Sequence, residues 1–218
     1  MTAQKTSTGA KDAAPFFEYE IIASSSKGNC VIIGETMIDC GVPMAKIKKK
    51  LYKIKTLIIT HDHSDHINKA TYRAIRQQFP RIKVIGNYEV HMVHHVDIIS
   101  NPGVEIKRGG ITYLPFTAPH DVENHGYVWE VNGQRVIYTT DTWSMEHAPE
   151  GPYDWLFIES NHDETKVETI IGKTHKGYEA WKSSYRHLST QKAKGFYYTH
   201  RRDNTSELVE LHRSEQFY

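Results

Sequence analysis

Residues 56–70, TLIITHDHSDHINKA, constrain this chain more tightly than any other stretch. A β-branched, apolar run ends abruptly in His61, Asp62, His63, Ser64, Asp65 and His66, and a helix-like sequence follows. Side chains alternate along a strand, so His61 and His63 leave the sheet on the same side. Asp65 and His66 fall in the turn entering the helix, near enough to serve a second ion. Neutral imidazole nitrogen with carboxylate oxygen suits Zn²⁺, or Mn²⁺ and Fe²⁺ where oxygen ligands are added. A polar turn capped by Asp65 would explain one of these residues and leave the others without a reason.

Around this segment the chain alternates short strands and helices. Strand-like runs at 17–22, 29–34, 36–39 and 56–60 precede a helix over 66–79. There Ala70, Tyr72, Ala74, Ile75 and Phe79 recur at three-to-four spacing, and Pro80 ends the run. VPMAKIKKKLYKI also has helical spacing. Strands are expected at 81–86 and 111–118, with a short helix around NYEVHMVHHV between them. Asn132-Gly133, set between alternating apolar residues, predicts a two-residue type I′ hairpin, because both central positions need positive φ. Residues 154–160 and 195–200 read as buried strands with helical segments between and after them. The pattern predicts a sheet sandwich covered by helices, one domain over 15–218 behind a flexible polar tail at 1–14.

Composition narrows the function. Lys and Arg total 27 and Asp and Glu 26, so the net charge of +1 excludes a globally basic nucleic-acid coat but allows a local patch. Mean hydropathy is −0.58, and the apolar runs are far shorter than the ~20 residues of a membrane span. The N-terminal residues lack a secretory pattern. The two cysteines, Cys30 and Cys40, have no CxxC spacing and read as small buried hydrophobes. A cytoplasmic protein without a membrane partner is expected. Fourteen histidines are unusual for such a chain, and their clustering carries the reading.

HxHxDH at a strand end resembles the signature of the metallo-β-lactamase superfamily. That resemblance implies an α+β fold, an αββα sandwich of two mixed sheets flanked by helices, and further ligands at later strand ends. His120 in TAPHDVENHGY, Asp141 in VIYTTDTW and His200 in GFYYTH stand in the order it requires. Carried over, His61, His63 and His120 would hold one metal, Asp65, His66 and His200 the other, and Asp141 would bridge both. ASSSKGNCVII with IDCG, THDHSDH, PHDVENHGY, YTTDT, IESNHD, RHLST and YYTHRRDN further resemble the YycJ-like (WalJ-like) branch of DNA exonucleases and phosphodiesterases. The chain departs from that branch in its shortness, in Arg186 where Gly precedes HLS, and in His200-Arg201-Arg202 where a second HLS is usual.

The resemblance implies two divalent ions, zinc first, sharing a water whose pKa falls from about 15.7 toward ~7. The resulting hydroxide would attack phosphorus in line in a nucleic-acid or nucleotide phosphodiester. Asp65, His162 and His187 are the catalytic candidates, with His162 or His187 donating the proton to the leaving group and Asp163 orienting His162. The alternative is that Asn161 or Asp163 merely caps the next helix. Arg201, Arg202 and Asn161 are the substrate-binding candidates, since arginine forks onto phosphate oxygens. The lysines from Lys46 to Lys55 read first as a solvated helix face, with a track for a phosphate backbone beside the metal motif as the alternative, and His91, His94 and His95 read as a solvated helix face. His125 reads as structural or rim rather than as a ligand, and Asp39 as a carboxylate that fixes a ligand histidine from behind. The stretch from Asp141 to His200 is too short for a large clamping insertion, which points to a small or single-stranded substrate, or to a homo-oligomer that completes the groove. The competing readings are a thioesterase or lactonase using the same hydroxide, and a metal-dependent sensor without turnover.

Overall fold

The structure, a computed structural model, describes residues 18–170, 185–214 and 218. The tail expected at 1–14 lies outside these residues. The first sheet takes β1 (Tyr19–Ser25), β2 (Gly28–Ile33), β3 (Thr36–Ile38), β4 (Thr56–Ile59), β5 (Lys83–Gly86) and β6 (Ile98–Ile99), side by side in that order. β1 to β3 are antiparallel, while β3 to β6 run parallel. The parallel crossovers carry α1 (Met44–Ile47), α2 (Lys69–Gln78) and α3 (Tyr88–His94). The second sheet takes β7 (Ile106–Arg108), β8 (Ile111–Thr117), β9 (His125–Val131), β10 (Gln134–Thr139), β11 (Trp155–Glu159) and β12 (Glu207–Leu211). Its first four strands are antiparallel and its last three parallel, with α4 (Glu164–Ile170) and α5 (Thr190–His200) between β11 and β12.

Strand alternation explains the layers. Ile58 points between the sheets, where it meets Tyr113, Tyr127, Trp129 and Phe157 in one buried cluster. Leu57 and Ile59 point the other way and pack with Tyr72, Ile75 and Val90 under α2 and α3. On the far side, Val128, Ile137, Leu156 and Ile158 pack with Leu188 and Ala193 under α5. Each sheet thus buries both faces, which gives the expected αββα order. The Asn132-Gly133 turn has φ of 53° and 77°, as the hairpin requires. Cys30 and Cys40 are free and buried.

Two expectations fail at the C-terminal end. Residues 195–200 are the last turns of α5, not a strand, and residues 207–211 form β12 rather than a helix. The Ser189 hydroxyl accepts the Lys192 N–H and starts α5, and Ala193, Phe196 and Tyr197 then meet the sheet at helical spacing. The lysine run forms α1 and a 3-10 turn at Leu51–Lys53. Lys50 pairs with Glu20 at 2.6 Å and Lys55 with Glu35 at 2.7 Å. Lys55 precedes β4, whereas His61 follows it, so the lysines nearest this strand lie at the end opposite the metal motif.

His125 is structural, as expected. It is buried at the start of β9, its Nδ1 2.8 Å from the Ser100 hydroxyl and its Nε2 3.3 Å from the more exposed Glu123. Burial pushes its pKa from 6.5 down to about 4. The unfolded chain therefore takes up a proton below pH ~6.5 that the native state refuses. This stability is complete above that pH and is lost as pH falls toward 4. His125→Asn should flatten the dependence of urea-unfolding free energy on pH in this window by up to about 3 kcal/mol. Equal slopes in both proteins would sink the assignment.

Candidate metal centre

Parallel strands in both sheets end at the same edge of the sandwich, and the chemistry-bearing residues follow those ends. Asp39 follows β3, His61 and His63 follow β4, Asp141 follows β10, Glu159 ends β11 and His212 follows β12. The β8–β9 loop brings His120. Among the described residues three overlapping groups result, each with donor atoms within 4.8 Å of one another: His61, His63, His120 and Asp141; Asp65, His66, Asp141 and His212; Asp141, Glu159, His187 and His212. Asp141 belongs to all three.

In the first group His61 Nε2 lies 3.1 Å from His63 Nδ1 and 3.7 Å from Asp141 Oδ2, and His120 Nε2 lies 3.9 Å from the same oxygen. In the second, His66 Nε2 is 3.3 Å from Asp141 Oδ2 and 3.5 Å from Asp65 Oδ2, while His212 Nδ1 is 3.2 Å from Asp141 Oδ1. The residues fit divalent cations. Among the described residues, both ring nitrogens of His120 and Nε2 of His212 are buried without a hydrogen-bond partner, and a coordinated ion would satisfy one nitrogen of each ring. The donor set is imidazole and carboxylate throughout.

A second layer holds these side chains. Asp39, at φ 59°, sets Oδ2 2.7 Å from His66 Nδ1 and accepts the Thr60 N–H at 2.9 Å. The Thr60 hydroxyl touches His61 Nδ1 at 3.0 Å. Such contacts fix a ligand's tautomer and leave its other nitrogen facing the site. Asn29 donates to Asp65 Oδ2 at 3.1 Å. His94, on α3, reaches Asp62 at 2.7 Å, so that helix face is not wholly solvated and instead braces the motif.

The electrostatics match. Burial alone would raise the Asp141 pKa, but the charges of His66 and His212 outweigh it and hold the carboxylate well below its usual range. Burial would lower His66, yet Asp141 and Asp39 raise it well above an ordinary histidine. Burial, reinforced by His66, pushes His61 well down and keeps it neutral. Burial would lower His187 as well, but Glu159, 2.6 Å from its Nδ1, lifts it to about 9.

Several candidates are not where the sequence suggested. His200 is no ligand of this centre: it ends α5, stacks on Phe196 at 3.9 Å, and its carbonyl accepts the Tyr153 N–H just before β11. The centre lies at the other end of that strand, at Glu159, and His212 occupies the position expected of His200. Arg201 and Arg202 share the displacement. Arg202 forks onto Asp154 at 2.6 and 3.1 Å, and the Arg201 guanidinium lies over Tyr197 and Tyr198. Asn161 is buried and donates to the His212 carbonyl at 2.9 Å, so it positions a ligand rather than meeting substrate. Asp163 caps α4 through the Thr165 N–H at 2.8 Å and is not seen to orient His162, whose buried Nδ1 has no partner. His187 joins the third group.

Sequence reasoning missed the roles of His212, Glu159 and Asp121. His212 closes ELVEL, a strand-end histidine like the others, hidden because the segment also reads as helical. Glu159 accepts the Thr142 and Leu188 N–H groups at 2.8 and 3.1 Å and contacts His187 and His212. Asp121 lies 3.0 Å from His120 Nε2 and 3.5 Å from the half-exposed Arg186 guanidinium.

Fold and site together define a metal-dependent hydrolase of the metallo-β-lactamase fold. A family model described as a beta-lactamase superfamily domain matches residues 35–200, and the chain belongs to that superfamily. It is 26% identical over 204 residues to the exodeoxyribonuclease WalJ of Streptococcus pneumoniae, covering 79% of this chain and 70% of that protein. Among solved structures it is similar to the metallo-β-lactamase fold protein YhfI of Bacillus subtilis, with TM-score 0.68, 17% identity and coverage of 90% and 86%. Human tRNase Z, short form, gives TM-score 0.65 at 14% identity, covering 90% of this chain and 92% of that one.

Proposed function

We propose that the chain is a phosphodiesterase working with two divalent ions, zinc first, on DNA, RNA or a nucleotide. The observation that carries the reading is Asp141, one buried carboxylate shared by two adjacent histidine–aspartate groups. His61, His63, His120 and Asp141 would hold one ion, and Asp65, His66, Asp141 and His212 the other. Bound there, such ions supply Lewis acidity toward a phosphoryl oxygen and lower the pKa of water. The likeness to WalJ favours a phosphodiester, and Arg186 offers a half-exposed cation on the rim for its charge.

The chain's own groups divide the proton work. Burial would raise Asp65, but its contact with His66 keeps it below the ordinary range, an ionised carboxylate able to take a proton from attacking water. His187 has Nδ1 committed to Glu159, whose charge lifts its pKa to about 9, so it is suited to hold a proton for the leaving oxygen. Glu159 stays ionised because His187 and His212 outweigh the burial that would raise it.

The test incubates the protein, with Zn²⁺ or Mn²⁺, with bis-p-nitrophenyl phosphate and with an acyl thioester. Hydrolysis of the phosphodiester, lost on chelation and restored by metal, is expected. Turnover confined to the thioester would overturn the reading in favour of a carboxylic ester hydrolase.

A further inference from the structure

A cleft of about 460 Å³ runs away from the metal centre along α5. One wall is Leu188, just before α5, and the stripe Lys192, Phe196 and His200, four residues apart and so on one face of the helix. The other wall is the loop after β10, with Trp143 at its head. The cleft starts beside the centre, because Leu188 follows His187 and Trp143 stands two residues past Asp141. The loop is anchored there: Trp143 N–H donates to the Pro119 carbonyl at 3.1 Å and Thr142 N–H to Glu159 at 2.8 Å.

The lining tells what would fit. Trp143 is 40% exposed despite its size, and it also borders a second cleft of about 450 Å³ that includes His120. An indole left in water between two hollows is an available stacking surface. Further along, Phe196 and His200 lie face to face, with ring centroids 3.9 Å apart and planes within 10°, a ready-made ladder of rings. Glu146 and Glu150 also line this cleft, against Lys192 alone as a fixed cation. Two carboxylates disfavour a phosphate there. They tolerate the uncharged, planar part of a nucleotide, whose ring N–H groups they can accept.

We propose that this cleft is a nucleobase track, in which Trp143 stacks the base next to the phosphate being cleaved and the Phe196–His200 pair carries the strand onward. The proposal rests on the phosphodiesterase reading and narrows it to single-stranded nucleic acid, because successive bases inside a duplex have both faces covered by their neighbours and cannot each stack on a protein ring. It gives His200 a task in place of metal binding. Phosphates are left to the metal centre and Arg186, which suits a chain without a global basic field.

The test compares cleavage of fluorescein-labelled hexathymidylate with variants abasic beside one or the other terminal linkage. Removing the stacked base should raise KM about tenfold for the native protein, as base–aromatic stacking implies. Trp143→Ala should lose this discrimination at unchanged metal content, while Trp143→Phe keeps it. Phe196→Leu supplies a second probe further along the cleft, with discrimination lost at the next base. Native protein that cleaves intact and abasic strands alike, or Trp143→Ala that still discriminates, overturns the track alone. Native protein that leaves both bis-p-nitrophenyl phosphate and hexathymidylate intact while hydrolysing a thioester overturns the parent reading too, and makes the cleft an acyl site.

Discussion

Asp141→Asn should strip the protein of tightly held metal and lower hydrolysis at least about 10³-fold, the scale of losing a preorganised charge at a reacting centre. The reason is its place in every one of the three ligand groups, combined with burial and full ionisation. An amide keeps the shape but supplies one neutral oxygen where adjacent ligand groups share one anion. Metal content by elemental analysis after desalting is the direct reading, at a folded fraction checked by circular dichroism. The same measurement separates the two C-terminal histidines. His212→Ala should lose metal from the group that also holds Asp65 and His66, whereas His200→Ala should retain it all. Asp141→Asn with native metal content would refute the shared-ligand geometry.

Gly41→Ala should be the most damaging substitution of a single small residue. A Cβ at that position would stand 1.6 Å from the Asp65 carbonyl oxygen, 2.4 Å from its carbon and 2.9 Å from the Asn29 nitrogen, all backbone atoms. Those atoms are already tied: Asn29 N–H donates to the Asp65 carbonyl at 2.7 Å, Gly41 N–H to the Asn29 carbonyl at 2.9 Å, and Cys40 N–H to the His66 carbonyl at 2.9 Å. The β2 and β3 ends thereby clamp the second half of the metal motif. A methyl group must push Asp65 and His66 out of place or break the clamp. A loss of about 4 kcal/mol and a fall in Tm of about 10 °C are expected, together with weaker metal binding. Gly103→Ala is the control. It has φ of 79° and no heavy atom within 4 Å of the added Cβ, so it should cost only about 1 kcal/mol and spare the metal. Equal effects of the two would show that the close approach is not what matters.

Where local chemistry and tertiary fold agreed, the sequence was legible. Asn132-Gly133 demanded its hairpin, Leu57, Ile58 and Ile59 read as a buried strand, and the His61–His66 cluster announced itself because its ligands lie within one turn of chain. His120 and Asp141 were legible as residues just past strand ends. Residues 195–211 were not, because GFYYTH has the aromatic content of a strand and ELVEL the spacing of either element. Periodicity over five or six residues cannot separate the two.

The sequence by itself determined the class of fold, the imidazole-and-carboxylate character of the donors and the half of the centre written contiguously in residues 61–66. Only the tertiary structure decided which histidine closes the second half. The choice between His200 and His212 depends on which segment pairs parallel to β11, and that pairing brings together residues about fifty positions apart. β12 wins the sheet edge and carries His212 to the catalytic end, beside Glu159. α5 instead runs back along the sheet, so His200, Arg201 and Arg202 arrive at the opposite end of the strand. Ligand identity is local chemistry, but ligand address is topology, and topology is set by long-range burial that no short window of sequence contains.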